Sequence, residues 1–233
     1  MFQSECRTLA QTVEAEAKRL HGHNKLVAVL GGEHSTPLGL ITALGKSKPG
    51  FGILHLDAHL DYRKAYEGME HSHASIMYNA AQLPGVASIV SVGIRDYCQE
   101  EVDFAQQYEG AHVHYMHQLR TALFSGSTWE QQCQRMVEQL PNEVYISFDI
   151  DVLEPHLCPN TGTPVPGGLS FDQAAYLIEM VAWAGKEIIG FDLCEVAPGP
   201  QSLPAQQREW DGNVGARMLW HLSMVALRSR YVK

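Results

Sequence analysis

Long apolar runs, paired cysteines and basic clusters are all scarce in this 233-residue chain. No run approaches the roughly eighteen consecutive apolar residues that a membrane-spanning helix needs, so we expect no membrane association. The five cysteines are odd in number and scattered, without a Cys-x-x-Cys pair. This pattern favours a reducing, cytoplasmic setting over a disulfide framework. The opening Met-Phe-Gln-Ser-Glu is not typical of a signal peptide.

The charge balance excludes further classes of protein. The chain has 17 Lys and Arg against 26 Asp and Glu, a formal charge of -9 at pH 7, so we expect no nucleic-acid partner. With 45% hydrophobic and 18% charged residues, it is too apolar for disorder and large enough for one substantial core. It contains no internal repeats or low-complexity tracts. The sequence predicts a single soluble domain over residues 1–233.

Strand and helix patterns alternate along the chain. Short runs rich in Val, Ile and Leu predict buried strands at residues 25–30, 51–56, 88–93, 112–116, 143–148 and 187–193. Helical patterns occupy residues 5–20, 72–81, 100–107, 129–139, 171–184 and 213–228. This alternation indicates an α/β fold in which helices cover both faces of a parallel central sheet, a three-layer αβα architecture.

Three of the predicted strands are followed by side chains that commonly bind metals. These side chains are His34, Asp57, His59, Asp61, Asp149 and Asp151. In open parallel sheets the carboxyl ends of the strands line one crevice, so we expect the six to converge. The last five alternate with apolar residues, which points them to one side of an extended segment. Four carboxylates and two imidazoles are enough for two divalent ions, and shared carboxylates would hold such ions roughly 3.5–4 Å apart.

Taken singly, an acidic residue or a histidine at the end of a strand is more often a helix cap or a solvated loop residue. Three such groups in register change that balance, because several like charges buried without a cation are very unfavourable. Mixed oxygen and nitrogen ligands suit Mn²⁺ or another hard to borderline ion, and the absence of a thiolate cluster argues against structural zinc. We therefore predict two Mn²⁺ ions as the cofactor.

These segments resemble the signatures of the ureohydrolases, the family of arginase, agmatinase, guanidinobutyrase and formiminoglutamase. Residues 31–35, Gly-Gly-Glu-His-Ser, are similar to its Gly-Gly-Asp-His-Ser motif, and residues 57–61 to its Asp-Ala-His-x-Asp motif. Residues 147–155 look like its third signature, and residues 161–169 match closely too. The resemblance, from about residue 25 to the C terminus, implies an arginase-like fold. It also implies hydrolysis of a small guanidino substrate to urea and an amine, and homo-oligomers that are trimers or hexamers.

The resemblance also implies roles for single residues. One ion would be held by His34, Asp57, Asp61 and Asp149, and the other by Asp57, His59, Asp149 and Asp151. His73 occupies the place of the family's catalytic histidine, an acid or proton shuttle for the departing amine. Glu195 is similar to the family glutamate that pairs with the flat guanidinium of the substrate. From composition alone, His73 would be a surface histidine and Glu195 a helix-capping acid.

The chain departs from the family pattern at several places. Glu33 and Glu154 each replace an aspartate, which we interpret as changes beside the ligands. Ala74 stands where a glycine usually follows the catalytic histidine. The family's usual first section, with a strand and a Gly-Pro-x-x-Ile-Arg segment, is not found before residues 31–35. We therefore expect an N-terminally short ureohydrolase domain with an exposed sheet edge or a partly open cleft.

Arg63 bears on the choice of substrate. Arginases have asparagine at this place and formiminoglutamase-like members have arginine, so arginine is the poorer candidate and an acidic-tailed formimino substrate stays an alternative. The context of His73 and residues 165–168 look more like agmatinase. We predict agmatine as the substrate, with Arg63 and Glu195 as substrate-binding residues. A non-catalytic metal-binding homologue is the second alternative. A one-ion deacetylase is disfavoured because the chain has no His-His pair.

Overall fold

The computed structural model of the protein describes residues 2–231 as alternating strands and helices. The strands are β1 (Val27–Leu30), β2 (Phe51–Leu56), β3 (Val86–Ile94), β4 (Ala111–Tyr115), β5 (Glu143–Phe148) and β6 (Glu187–Leu193). The helices are α1 (Phe2–His21), α2 (Leu38–Ser47), α3 (Ile76–Ala81), α4 (Gln99–Gln107), α5 (Met116–Phe124), α6 (Trp129–Glu138), α7 (Phe171–Trp183), α8 (Ala205–Arg208) and α9 (Trp210–Tyr231). Short 3-10 turns lie at His73–Ser75 and Ile150–Val152.

The strands form one parallel sheet in the order β1-β6-β5-β2-β3-β4. The predicted parallel sheet is therefore confirmed. The segments that carry the predicted ligands follow β1, β2 and β5, and Glu195 follows β6. These four strands are consecutive neighbours, so their carboxyl ends open onto one stretch of the same sheet edge. The strand β1 lies at the edge of the sheet, and the side chain of its Leu30 is 66% exposed.

Two apolar clusters cover the two faces of the sheet. Leu54 and Leu56 of β2 point to the cluster formed with α5, α6, α7 and α9. Phe51 and Ile53 of the same strand point to the cluster formed with α1, α2 and α3. Alternate residues of one strand thus bury their side chains in opposite layers, and each such side chain contributes about 1.5–3 kcal/mol. This packing confirms the three-layer αβα architecture.

Three helices were not predicted from the sequence: α2, α5 and the four-residue α8. The first two each have a local reason. Helix α2 is buried along most of its length and lacks the polar face of a surface helix. Its Gly39 lets α1 approach, because a Cβ there would lie 2.3 Å from the carbonyl oxygen of Ala10. Helix α5 begins directly after β4 without an intervening turn. In the described range 2–231, no helix is long and apolar enough to cross a membrane.

Candidate active site

The six predicted ligands come together at the carboxyl ends of β1, β2 and β5. Asp57 and Asp149 directly follow their strands, and the amide of Asp149 still donates to the carbonyl of Leu56 at 2.9 Å. The sheet ladder therefore fixes the start of both acidic segments. Five of the six side chains are buried and His59 is partly exposed, so this cluster of like charges lies mostly out of water.

His34 lies at the centre of the first group. Its Nδ1 is 3.0 Å from Asp57 Oδ2, 3.2 Å from Asp61 Oδ2 and 3.3 Å from Asp149 Oδ2. This nitrogen is buried and has no hydrogen-bond partner of acceptable geometry among the described residues. Three carboxylate oxygens that surround an unpaired ring nitrogen have the arrangement of ligands around a shared cation. The donor set thus fits a divalent metal ion.

His59 marks the second group. Its Nδ1 is 3.1 Å from Asp151 Oδ2 and 3.2 Å from Asp57 Oδ1. Asp57 therefore directs one oxygen to each histidine, which is the geometry of a carboxylate that bridges two ions. The second predicted bridge, Asp149, has one oxygen near His34, while its other oxygen accepts the amide of Asp151 at 2.9 Å. Its bridging role stays a prediction.

The electrostatics of the cluster favour cations. Burial and the charge of Asp57 raise the pKa of Asp61 to about 8. Burial, followed by the charges of Asp151 and Asp57, raises the pKa of Asp149 well above its ordinary value. Burial lowers the pKa of His59, but Asp151 and Asp57 outweigh it and raise this pKa to about 12. Without a metal the cluster therefore retains protons, and divalent ions would displace them.

Asp192 is part of the site and was missed by the sequence analysis. It is fully buried in β6, where it accepts the hydroxyl of Tyr145 at 2.7 Å and the amide of Phe148 at 3.1 Å. Its Oδ1 lies 3.8 Å from His34 Nε2, which is also 2.9 Å from Ser147 Oγ. These groups contact the Nε2 side of the His34 ring and orient its Nδ1 toward the carboxylates. The available signal was an aspartate inside an apolar strand.

Arg95, which directly follows β3, was also missed. Its guanidinium donates to the carbonyl of Asp151 at 2.6 Å, to Val165 at 3.0 Å and to Gly93 at 3.1 Å. A further bond reaches Leu153 at 3.2 Å. One side chain thus connects the end of β3, the segment after β5 and residues 163–166. It holds the backbone of a predicted ligand in place.

The other predicted site residues lie beside the cluster. His73 is half-exposed, with Nδ1 3.7 Å from Glu33 Oε2 and its ring centroid 5.5 Å from that of Tyr66. Glu195 accepts the amide of His34 at 2.9 Å, and Thr161 donates to the Glu195 carbonyl at 2.8 Å. Burial raises the pKa of the Glu195 carboxyl, although the His34 amide opposes this change.

A cavity of about 140 Å³ opens next to the cluster, with His59 and Asp61 in its wall. The wall also contains Arg63, Tyr66, His73, Ala74, Asp96, Tyr97, Glu101 and Thr163. The structure therefore brings predicted Arg63 and His73 to one cavity, whereas Glu195 lies next to His34 and is not part of this wall. Thr163 lies in the Pro- and Gly-rich segment 154–168.

Two site residues have left-handed backbone. Asp61 has φ +56° and Glu195 has φ +62°, in the region that disfavours side chains other than those of Gly, Asn and Asp. The predicted extended segment 57–61 therefore ends in a turn, and the carbonyl of Asp61 accepts the amides of Met77 and Tyr78. For a residue such as Glu195 this conformation costs of order 1–3 kcal/mol, and such residues are common at functional sites.

Fold and site together define a class: an α/β protein with two adjoining carboxylate–imidazole groups suited to divalent ions at the carboxyl ends of parallel strands. The chain belongs to the arginase family, whose family model matches residues 2–221.

Similarity to named relatives and to a solved structure agrees with this family membership. The chain is 40% identical over 171 residues to an N(1)-aminopropylagmatine ureohydrolase of Thermococcus kodakarensis, which covers 72% of this chain and 53% of the relative. It is 34% identical over 192 residues to an agmatinase of Halalkalibacterium halodurans, which covers 81% of this chain and 61% of the relative. The chain thus spans about half to three fifths of the length of these relatives. It is also similar to the crystal structure of agmatine ureohydrolase of Thermoplasma volcanium, with a TM-score of 0.73, 27% identity and coverage of 97% of this chain and 69% of that chain.

Proposed function

We propose that the protein is a binuclear-manganese amidinohydrolase that cleaves a guanidino compound, agmatine above all, to urea and an amine. The observation that carries this proposal is the convergence of three carboxylates on the unpaired Nδ1 of His34, with Asp57 shared between His34 and His59. The similarity to proteins named agmatinase and aminopropylagmatine ureohydrolase supports the substrate class.

The residues that would hold the ions form two overlapping sets. They are His34, Asp57, Asp61 and Asp149 for one ion, and Asp57, His59, Asp149 and Asp151 for the other. Two bound divalent cations would supply Lewis-acid activation of water and compensate the buried carboxylates. The Asp and His donors and the absence of a thiolate cluster among them favour Mn²⁺ over structural zinc.

The remaining steps belong to side chains of the protein. The Glu195 carboxylate accepts the His34 amide, and the Glu195 backbone carbonyl accepts the Thr161 hydroxyl. Held in this way, Glu195 would pair with the planar guanidinium and orient its carbon. His73, on the cavity wall, would give a proton to the departing amine, since an imidazole can act as a general acid.

The outer wall of the cavity favours a cationic tail on the substrate. The charge of Arg63 is partly compensated, because its Nε lies 3.7 Å from the buried carboxylate of Glu101 and its guanidinium lies over the Tyr66 ring at 5.3 Å. The Asp96 carboxylate is 66% exposed, and its Oδ2 lies 3.9 Å from His59 Nε2. An ammonium tail such as that of agmatine would meet Asp96.

Arg63 also favours one alternative, a formiminoglutamase-like hydrolysis of a substrate with an acidic tail. Agmatine and 4-guanidinobutyrate form a nearly isosteric pair that differs in the sign of the tail charge. We therefore expect manganese-loaded protein to release urea faster from agmatine than from guanidinobutyrate, arginine or guanidine. Replacement of Asp96 by Asn should raise the KM for agmatine about 5-fold, the effect of an exposed ion pair worth about 1 kcal/mol. It should lower the KM for guanidinobutyrate, because the Asp96 carboxylate repels the acidic tail.

The same panel separates the alternatives. Formamide release from formiminoglutamate, with loss of that activity in Arg63→Gln, would replace the agmatine proposal by the acidic-tailed one. Two bound ions without any urea or formamide would identify a non-catalytic homologue. The Arg135→Gln variant, on the exposed surface of α6, is the matched control for loss of an arginine.

A further inference from the structure

We propose that His55 is a positioning residue that fixes the shared carboxylate of Asp57 and thereby sets the affinity of both metal positions. The inference rests on the metal site of the proposed function, but it concerns a residue outside the predicted ligand set. His55 lies in the middle of β2 and is fully buried. Its ring centroid is 5.6 Å from that of His34.

Both ring nitrogens of His55 have defined partners. Nε2 is 3.0 Å from Asp57 Oδ2, and Nδ1 is 3.1 Å from Ser91 Oγ. A carboxylate only accepts hydrogen bonds, so Nε2 carries the hydrogen and donates it to Asp57. Nδ1 is then the acceptor and takes the hydroxyl hydrogen of Ser91. This pairing sets both the tautomer and the orientation of the ring.

The oxygen that His55 holds is the one that faces His34. Asp57 Oδ2 lies 3.0 Å from His34 Nδ1 as well as 3.0 Å from His55 Nε2. The other oxygen, Oδ1, accepts the amide of His59 at 2.6 Å. The carboxylate is therefore held at both ends, with one oxygen directed to each metal position. Release of Oδ2 would let the group rotate and would disturb both positions together.

His55 belongs to a row of polar side chains across three neighbouring strands. In the sheet register it is paired with Ser91 of β3 and with Ser147 of β5, and all three are fully buried. Ser91 contacts His55, and Ser147 contacts Nε2 of His34. Through these contacts the row supports two of the predicted ligands. Ser91 orients His55, which holds Asp57, and Ser147 holds His34.

The fold does not require polar side chains in this row, so the row needs another explanation. Buried polar groups gain little stability over well-packed apolar residues, even when they are hydrogen-bonded. The neighbours of His55 in β2, Leu54 and Leu56, are apolar core residues. A polar row inside such a strand is explained by the orientation that it gives to ligand groups, an effect worth 10–100-fold in metal affinity in other proteins.

Metal binding by His55 variants tests the proposal. Metal-free wild type, His55→Leu and His55→Gln are dialysed against Mn²⁺, and bound ions are measured by elemental analysis, with the coupled Mn²⁺ pair followed by electron paramagnetic resonance. We expect wild type to bind two ions and His55→Leu to bind both about 10–100-fold more weakly. His55→Gln, whose amide N–H replaces Nε2–H, should stay within about 5-fold of wild type, since the donor to Asp57 is kept.

Urea denaturation of the metal-free proteins separates positioning from structure. We expect His55→Leu to fold without metal but to lose some stability, because the buried Ser91 hydroxyl and Asp57 Oδ2 lose their partner. His55→Gln should lose less, since it keeps the donor to Asp57. The matched control is His114→Leu. His114 is a partly buried histidine of β4 that contacts Gln139 Oε1, and its loss should leave Mn²⁺ affinity unchanged.

The outcomes distinguish two failures. Equal Mn²⁺ affinity of wild type and His55→Leu would overturn the role of His55 and leave the proposed function intact. Wild type without bound ions would overturn the proposed function itself. A matching loss of affinity and of metal-free stability in both His55 variants would show that the ring is structural. If His55→Leu fails to fold, Ser91→Ala decides the question, because the loss of the Ser91 hydroxyl should weaken binding about 3–10-fold in the folded protein, below the full effect of a removed partner.

Discussion

Replacement of Arg95 by Met is the sharpest test of how the segments around the site are held together. The substitution keeps much of the aliphatic stem and removes the guanidinium. Carbonyls of three segments, at Gly93, Asp151 and Val165, would then lose their donor. Two of these segments contain residues of the site, since Asp151 is a predicted ligand and Thr163 lines the cavity.

The magnitude follows from the hydrogen bonds. A bond from a charged donor contributes about 1.5–3 kcal/mol, so the three shortest bonds of Arg95 would sum to about 4.5–9 kcal/mol. Desolvation of the half-buried guanidinium offsets part of this sum, and bonds from one group are not additive. We therefore expect Arg95→Met to lower the free energy of unfolding by about 3–5 kcal/mol. Arg95→Lys should lower it by about 2 kcal/mol, because an ammonium cannot reach all three carbonyls.

The assay is urea unfolding of the metal-free protein, followed by tryptophan fluorescence. With a slope of about 2.5 kcal/mol/M, Arg95→Met should move the midpoint down by roughly 1–2 M. Arg135→Met is the control, because Arg135 is exposed on α6 and such changes stay within about 0.5 kcal/mol. Equal midpoints for Arg95→Met and Arg135→Met would refute the reasoning, as would an Arg95→Lys variant that is less stable than Arg95→Met.

Three further predictions concern packing, pH and metal. Neither amide atom of buried Gln132 has a hydrogen-bond partner within residues 2–231, so Gln132→Met should stabilise the protein by about 1–3 kcal/mol in urea unfolding; a loss of stability would contradict this. Burial lowers the pKa of His114 in the folded protein. The unfolded chain therefore binds the proton at a higher pH, and the free energy of unfolding decreases as the pH falls below about 6.5. His114→Leu should lose less stability than wild type between pH 7.5 and 5.5, and parallel curves would exclude the effect. Chelation of Mn²⁺ initially present at about 100 times Kd should remove about 2.7 kcal/mol per ion, which a thermal scan detects; an unchanged Tm would argue against bound metal.

The sheet was predictable because buried parallel strands are short apolar runs, and each predicted run corresponds to one of the strands β1–β6. Surface helices were predictable where one face is polar, as in α6, whose N-terminal Thr128 and Gln131 form a capping box. Helix α2 lacks such a face, since six of its ten residues are buried. Its existence depends on packing against α1, which is a tertiary effect.

The predicted ligands were visible because carboxylates at the ends of apolar strands need compensation. The roles of His55 and Ser91 were not, since they depend on cross-strand register, and register is absent from the linear pattern. Arg95 donates hydrogen bonds to carbonyls more than fifty residues away. Backbone carbonyls can belong to any residue, so no sequence motif identifies these acceptors. The contact of Arg63 with Glu101 could not be foreseen, because it joins residues 38 positions apart in the sequence.

The left-handed backbone at Asp61 and Glu195 has a consequence for evolution in the laboratory. Glycine would relieve the local strain at Glu195 by roughly 1 kcal/mol, and less at Asp61, because aspartate tolerates this region better than glutamate does. A selection that rewards only heat resistance should therefore enrich glycine at the Glu195 codon and yield more stable but inactive variants. Screens for thermostable variants of this chain therefore need catalytic turnover as a second measured criterion.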